Sequence, residues 1–123
     1  MTDPSRSILV VEDDPATRRV LEVALRRAGY EVTTAPDGAA AQALVRERRF
    51  ALFLVDYMMP IVDGLTFVTW LRGEAIAAPV VMLTASGAPE VAASVRGSGA
   101  DEVVVKPVDL KGLLARLERL AGS

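Results

Sequence analysis

A chain of 123 residues suits one domain and is long enough to bury roughly two-thirds of its unfolded surface. Its 14 basic and 16 acidic residues are spread along the sequence for a net charge of −2, which leaves no basic footprint for nucleic acid or anionic lipid. Cysteine and histidine are both missing, which excludes a disulfide framework, thiolate or imidazole metal sites and histidine acid-base chemistry; any metal must be hard and bound by oxygen.

Residues 1–6 are short and polar, without the apolar stretch of a signal peptide, and no run of 18 apolar residues occurs anywhere. The expectation is a disordered segment over 1–6, a single domain over 7–121, a cytoplasmic location and no membrane insertion. Within the domain, apolar and largely β-branched runs predict strands at 7–11, 31–35, 51–55, 80–83 and 102–105. They alternate with helical periods, which predicts an α/β fold with a parallel sheet covered on both faces.

The first helix is predicted to start at Pro15, capped by Asp14, and to stop at Ala28 and Gly29, with Thr17, Val20, Leu21, Ala24 and Ala28 facing the sheet. Pro36, Asp37 and Gly38 read as a turn into a second helix with Ala41, Leu44 and Val45 inward; Arg46 to Arg49 then reads as its solvated end rather than a docking patch. A third helix follows Asp63 and Gly64, carrying Leu65, Val68 and Leu71 inward and leaving Phe67 and Trp70 on other, partly exposed faces. The fourth, 89–96, is short and alanine-rich with only Val91 and Val95 as anchors. The fifth, 109–120, packs Leu110, Leu113, Leu114 and Leu117 and turns Lys111, Arg116 and Arg119 outward.

Asp56 interrupts the apolar run 51–59, and burying a lone carboxylate costs several kcal/mol unless something compensates it. If the strands lie parallel, their C-terminal tips gather Glu12, Asp13 and Asp14, Asp56, Thr84 and Lys106 at one edge. Close carboxylates repel by roughly 4 kcal/mol at 4 Å, so a cation belongs among them, and Mg²⁺ suits a site with oxygen donors alone. Asp56 can then act as a nucleophile toward phosphorus, with Lys106 and Thr84 reaching phosphoryl oxygens. Taken singly, each has a plainer reading: a surface lysine, a strand-end threonine, a helix-capping acid cluster.

Jointly these residues match a known family. The chain resembles the receiver domain of bacterial two-component response regulators, through Ile8-Leu-Val-Val-Glu-Asp-Asp-Pro15, Leu54-Val-Asp-Tyr-Met-Met-Pro60, Asp63 and Gly64, Leu83-Thr-Ala85, Gly99-Ala-Asp101, and Lys106 with Pro107. The resemblance implies a doubly wound, flavodoxin-like three-layer sandwich of five helices around a five-stranded parallel sheet of order 2-1-3-4-5, with the site at its switch point. It implies Mg²⁺ held by Glu12, Asp13, Asp56 and the backbone carbonyl of Met58, with Asp56 as phosphoacceptor, Lys106 as phosphate partner and Thr84 as the switching hydroxyl. Implied partners are a histidine kinase or histidine phosphotransfer protein as donor, and a downstream effector or output domain. The face of helix four, strand five and helix five is the implied effector or homodimer surface.

Two positions depart from the family pattern. Val103 stands where a tyrosine or phenylalanine is usual, three positions before the lysine, and Val108 replaces a common phenylalanine. Ring rotation at 103 is therefore excluded as the readout, and backbone movement around 85–90 is expected instead. Phosphorylation replaces one negative charge by about two with three acceptor oxygens, and so draws Thr84 and Lys106 inward. Of the rival readings, an aspartyl phosphatase of the haloacid dehalogenase type needs an acid at the position of Met58, and a nucleotide binder needs a glycine-rich loop where Glu12 to Asp14 stand. A receiver fold serving as a phosphorylation-independent docking module remains the principal alternative.

Overall fold

Successive side chains of a strand point to opposite faces, so a strand apolar at every position must be covered on both sides. The computed structural model, which describes residues 4–59 and 63–121, builds the whole molecule on that requirement. Strands β1 (Ser7–Val11), β2 (Glu31–Ala35), β3 (Leu52–Asp56), β4 (Val80–Thr84) and β5 (Glu102–Val105) alternate with helices α1 (Pro15–Arg27), α2 (Gly38–Glu47), α3 (Gly64–Gly73), α4 (Pro89–Gly97) and α5 (Leu110–Ala121). All pairings are parallel and the sheet order is β2-β1-β3-β4-β5, the doubly wound arrangement expected.

Alternation within the strands divides the core in two. Ile8, Val10, Leu52, Leu54, Val81 and Leu83 pack with Leu21 and Leu25 of α1 and Leu113 and Leu117 of α5. Leu9, Val11, Phe53, Val55, Val80 and Met82 pack with Ala41 of α2, Phe67, Val68 and Leu71 of α3 and Val95 of α4. Asp14, Asp37 and Asp63 cap the first three helices, each accepting a backbone N–H from the first turn.

Several side chains differ from expectation. In α1 the buried stripe is Leu21 and Leu25, while Val20, predicted inward, is 54% exposed beside Leu110; the helix is rotated so that one i, i+4 leucine pair meets the sheet. In α3, Phe67 is fully buried rather than peripheral. Its ring meets Phe53 edge-on at 6.2 Å and stacks on Trp70 at 6.0 Å, an aromatic cluster completed by Phe50 at 5.9 Å from Phe53. Arg116, predicted outward, is half-buried and pairs with Glu102 at 2.8 Å; Arg119 pairs with the same carboxylate at 2.6 Å.

β3 and β4 each run one residue further than predicted, to Asp56 and Thr84. A disordered segment is expected over 1–6; of these residues, Pro4–Arg6 form a 3₁₀ turn. There Arg6 stacks over Tyr30 at 4.0 Å, bonds the Ala28 carbonyl at 2.7 Å and pairs with Glu118 at 2.8 Å. Residues 1–3 and Pro60 lie outside the described residues. Among the described residues no helix is long and apolar enough to cross a membrane.

Candidate functional site

Parallel register carries the strand ends to one edge. Val11 lies opposite Val55, Asp56 opposite Leu83, and Thr84 opposite Val105, so Glu12 and Lys106, the residues next along β1 and β5, flank Asp56 and Thr84. Chain connections diverge between β1 and β3, and the crevice there is where α/β sheets place their ligands. The backbone is held at that edge by three long-range bonds: Glu12 N–H to the Ala35 carbonyl at 3.1 Å, Tyr57 N–H to Leu83 at 2.8 Å and Lys106 N–H to Thr84 at 2.7 Å.

Glycine is required where α3 meets this edge. A Cβ on Gly64 would fall 2.5 Å from the carbonyl oxygen of Asp56, so only the bare backbone lets the helix start against the end of β3. Gly64 N–H then donates to the Tyr57 carbonyl at 3.1 Å.

Glu12 is fully buried, Asp56 is 5% exposed, and Asp13 is open to solvent. One carboxylate oxygen from each of the three lies within 4.8 Å of the others. The Lys106 ammonium stands between two of them, 3.1 Å from Glu12 Oε1 and 3.2 Å from Asp56 Oδ1. The second oxygen of Glu12 accepts Asp14 N–H at 3.2 Å, and Arg18 donates to the Glu12 carbonyl at 3.0 Å.

Three acids face one ammonium, and the two buried ones, Glu12 and Asp56, hold their protons more tightly than usual. Burial, opposed by the Asp14 N–H and reinforced by the Asp56 charge, pushes Glu12 from 4.5 up to about 7. Burial also raises Asp56, against the lowering effects of the Glu12 hydrogen bond and the Lys106 charge. For Lys106 burial acts downward, but the hydrogen bond to Glu12 and the charges of Asp56 and Glu12 outweigh it and leave the group raised. Acids crowded this way either keep a proton or take up a cation. The donors are carboxylate oxygens, which fits Mg²⁺ and suits neither zinc nor copper.

The response regulator receiver domain family model matches residues 8–118. The chain belongs to that family. Over 117 residues it is 40% identical to the DNA-binding dual master transcriptional regulator RpaA of Synechocystis sp., covering 92% of this chain and 48% of that protein. Among solved structures, the receiver domain of the Francisella response regulator 1452 matches with a TM-score of 0.92 at 28% identity, over 95% of this chain and 97% of that one. The chemotaxis response regulator CheY4 of Vibrio cholerae matches with a TM-score of 0.88 at 34% identity, over 93% and 97%. The chain spans about half the length of the curated relatives it matches.

As a receiver domain, it assembles the residues singled out in the sequence. Glu12, Asp13, Asp56 and Lys106 converge, and Thr84 is buried at the end of the neighbouring strand. Asp14 caps α1 instead of joining the cluster. Met58, two residues beyond Asp56, turns its side chain outward, 69% exposed. Val103 is half-buried against the α3 side of the core and Val108 against the α5 side. The structure adds one residue that escapes sequence reasoning, Arg18, and gives a contact to Ser86, which the resemblance places with Met58 among the residues flanking the site. Arg18 braces the backbone of Glu12, and Ser86 donates its N–H to Thr84 Oγ1 at 3.1 Å. Arg18 sits one helical turn beyond Asp14, but Arg19 beside it carries the same charge, and nothing in the local pattern separates them.

Proposed function

We propose that this receiver domain takes a phosphoryl group onto Asp56 from the phosphohistidine of a histidine kinase or phosphotransfer protein. The observation that carries the reading is the Lys106 ammonium seated between two buried carboxylates, Asp56 and Glu12. An Asp56 oxygen attacks phosphorus in line; the new P–O bond forms as the P–N bond to the donor imidazole breaks, and the imidazole departs. Mg²⁺, held by Glu12, Asp13, Asp56 and the Met58 carbonyl, would neutralise charge on the phosphoryl oxygens. Lys106 exchanges a carboxylate partner for a phosphoryl oxygen as a compact point charge, and Thr84 donates its hydroxyl to another. Attack of water on the acyl phosphate returns Asp56 to the free carboxylate, so the domain assists its own dephosphorylation and is a switch rather than an enzyme with turnover.

The signal leaves through the face of α4, β5 and α5, to an output domain, a separate effector or a second copy of the chain. Nucleic acid is not contacted by this domain itself, and it acts in the cytoplasm, where ATP supplies the kinase. Incubation with acetyl phosphate and Mg²⁺ should add the mass of one phosphoryl group, stable in acid and labile in base, and Asp56→Asn should abolish it. No gain in the natural sequence would favour a docking module independent of phosphorylation. Lys106→Ala should still gain phosphoryl mass while losing most of the conformational response; a full response in that variant would remove the role given to the ammonium.

A further inference from the structure

With valine at position 103, something other than a moving ring must connect Thr84 to α4. The segment between them contains two side-chain-to-backbone hydrogen bonds in series. Ser86 N–H donates to Thr84 Oγ1 at 3.1 Å, and Ala88 N–H donates to Ser86 Oγ at 3.2 Å. Ala88 is the N-cap of α4; it has no side-chain oxygen to offer the first turn, and Pro89 follows it. Ala85, Ser86 and Gly87 are all exposed, so no packed side chain restrains the segment. Thr84, by contrast, is buried at the end of β4.

We propose that Ser86 is a positioning residue that transmits movement of the Thr84 hydroxyl to the first turn of α4. The inference rests on the reading of Thr84 as a donor to a phosphoryl group on Asp56. A hydroxyl carries one hydrogen and two lone pairs, so Thr84 can donate to phosphate and still accept from Ser86. Both bonds already lie toward the long end of the N–H···O range, and a displacement on the order of 0.5 Å breaks them unless the loop follows. Loop movement therefore accompanies Thr84, and Ser86 Oγ carries it to the backbone of the residue on which α4 begins. Val91 N–H and Ala92 N–H both bond the Ala88 carbonyl, so a shift at Ala88 reaches the first turn directly.

The test uses the full chain labelled for amide resonances, observed free and with Mg²⁺ and beryllofluoride, while acetyl phosphate and mass measurement follow loading of Asp56 in parallel. Ser86→Ala should load Asp56 to the natural extent, yet its free-to-loaded shift changes at Glu90, Val91 and Ala92 should fall about threefold or more. Ser86→Thr should restore them. The melting midpoint of free Ser86→Ala should move by less than about 3 °C. A merely structural serine would alter the free state and leave the free-to-loaded difference intact, and that pattern overturns the proposal. A natural chain that loads Asp56 without moving these amides also overturns it, with the phosphoacceptor reading left standing. A natural chain that takes no phosphoryl group ends both.

Discussion

The two ends of α4 are held in different ways. At its C-terminal end Gly99, with φ of 106°, presents its carbonyl to Arg72, which donates to it twice, at 3.0 and 2.9 Å. The same guanidinium reaches the carbonyls of Ile76 at 2.7 Å and Ala78 at 2.9 Å and the Asp101 carboxylate at 3.2 Å, while Asp101 accepts Val80 N–H at 2.8 Å. One side chain thus ties the end of α3, the loop before β4 and the loop before β5. At its N-terminal end α4 rests on two bonds between residues two apart in sequence, and on Val91, which is only half-buried. Long-range bonds break only with the fold, whereas local ones rearrange at little cost. A helix fixed at one end and loosely seated at the other can convert a small change at Thr84 into reorientation of its first turn.

The sharpest way to break this contrast is to remove the fixed end. Arg72→Met should leave three carbonyls short of a donor and cost about 2 to 4 kcal/mol in urea unfolding, because partly buried polar groups lose partners that water does not fully replace. Loading Asp56 in that variant should then shift amides at both ends of α4 instead of at the first turn. A loss below about 0.5 kcal/mol would mean that the contact is ornamental and the end of α4 is held by packing alone.

Next in size is the acid pocket itself, which adjoins Thr84, the residue from which the loosely seated end of α4 hangs. Glu12 binds its proton more tightly folded, at about 7, than at its ordinary value of 4.5. The folded state therefore holds more protons between those values, so stability should fall as pH rises through that window, by at most about 3 kcal/mol from this group. Asp56 is raised as well and acts in the same direction. Lys106, also raised, is protonated throughout the window and adds no slope there. Urea unfolding in chelator from about pH 5 to about pH 7.5 should show the decline, and Mg²⁺ should flatten or reverse it by favouring the ionised acids. A flat profile in chelator would show that Glu12 is already ionised and that the pocket carries less strain than its geometry implies.

The sequence foretold the strand tips better than the helix faces. Asp56 and Lys106 were legible because a charge inside or just after an apolar run has few plain explanations, and parallel register then places such residues together. Phe67 and Val20 were misassigned because a short helix with apolar residues on several sides does not declare its rotation; aromatic stacking decided one and a leucine pair the other. Arg72 could not be read at all. Apart from the Asp101 carboxylate its partners are backbone carbonyls, up to 27 positions away, and a carbonyl is the same in every residue. Ser86 is legible as a neighbour of the site, two positions from a recognised hydroxyl, but its hydrogen bonds are not, because which atoms accept has no sequence signature.

The smallest expected effect tests the loose end from the opposite side, by tightening it. Ala88 occupies the N-cap with φ −63° and ψ 137°, an extended conformation suited to a capping side chain, yet offers none. Ala88→Ser should supply an oxygen to the first-turn N–H groups and stabilise the free domain by about 0.5 to 1 kcal/mol in urea unfolding. If the missing cap is what leaves the first turn free to respond, the gain must appear in the free state and shrink on loading. Slower amide exchange at Val91 and Ala92 should then accompany a reduced shift change with beryllofluoride. Equal stabilisation of both states would instead show that the first turn keeps its geometry throughout, and the contrast between the two ends of α4 would lose its consequence for signalling.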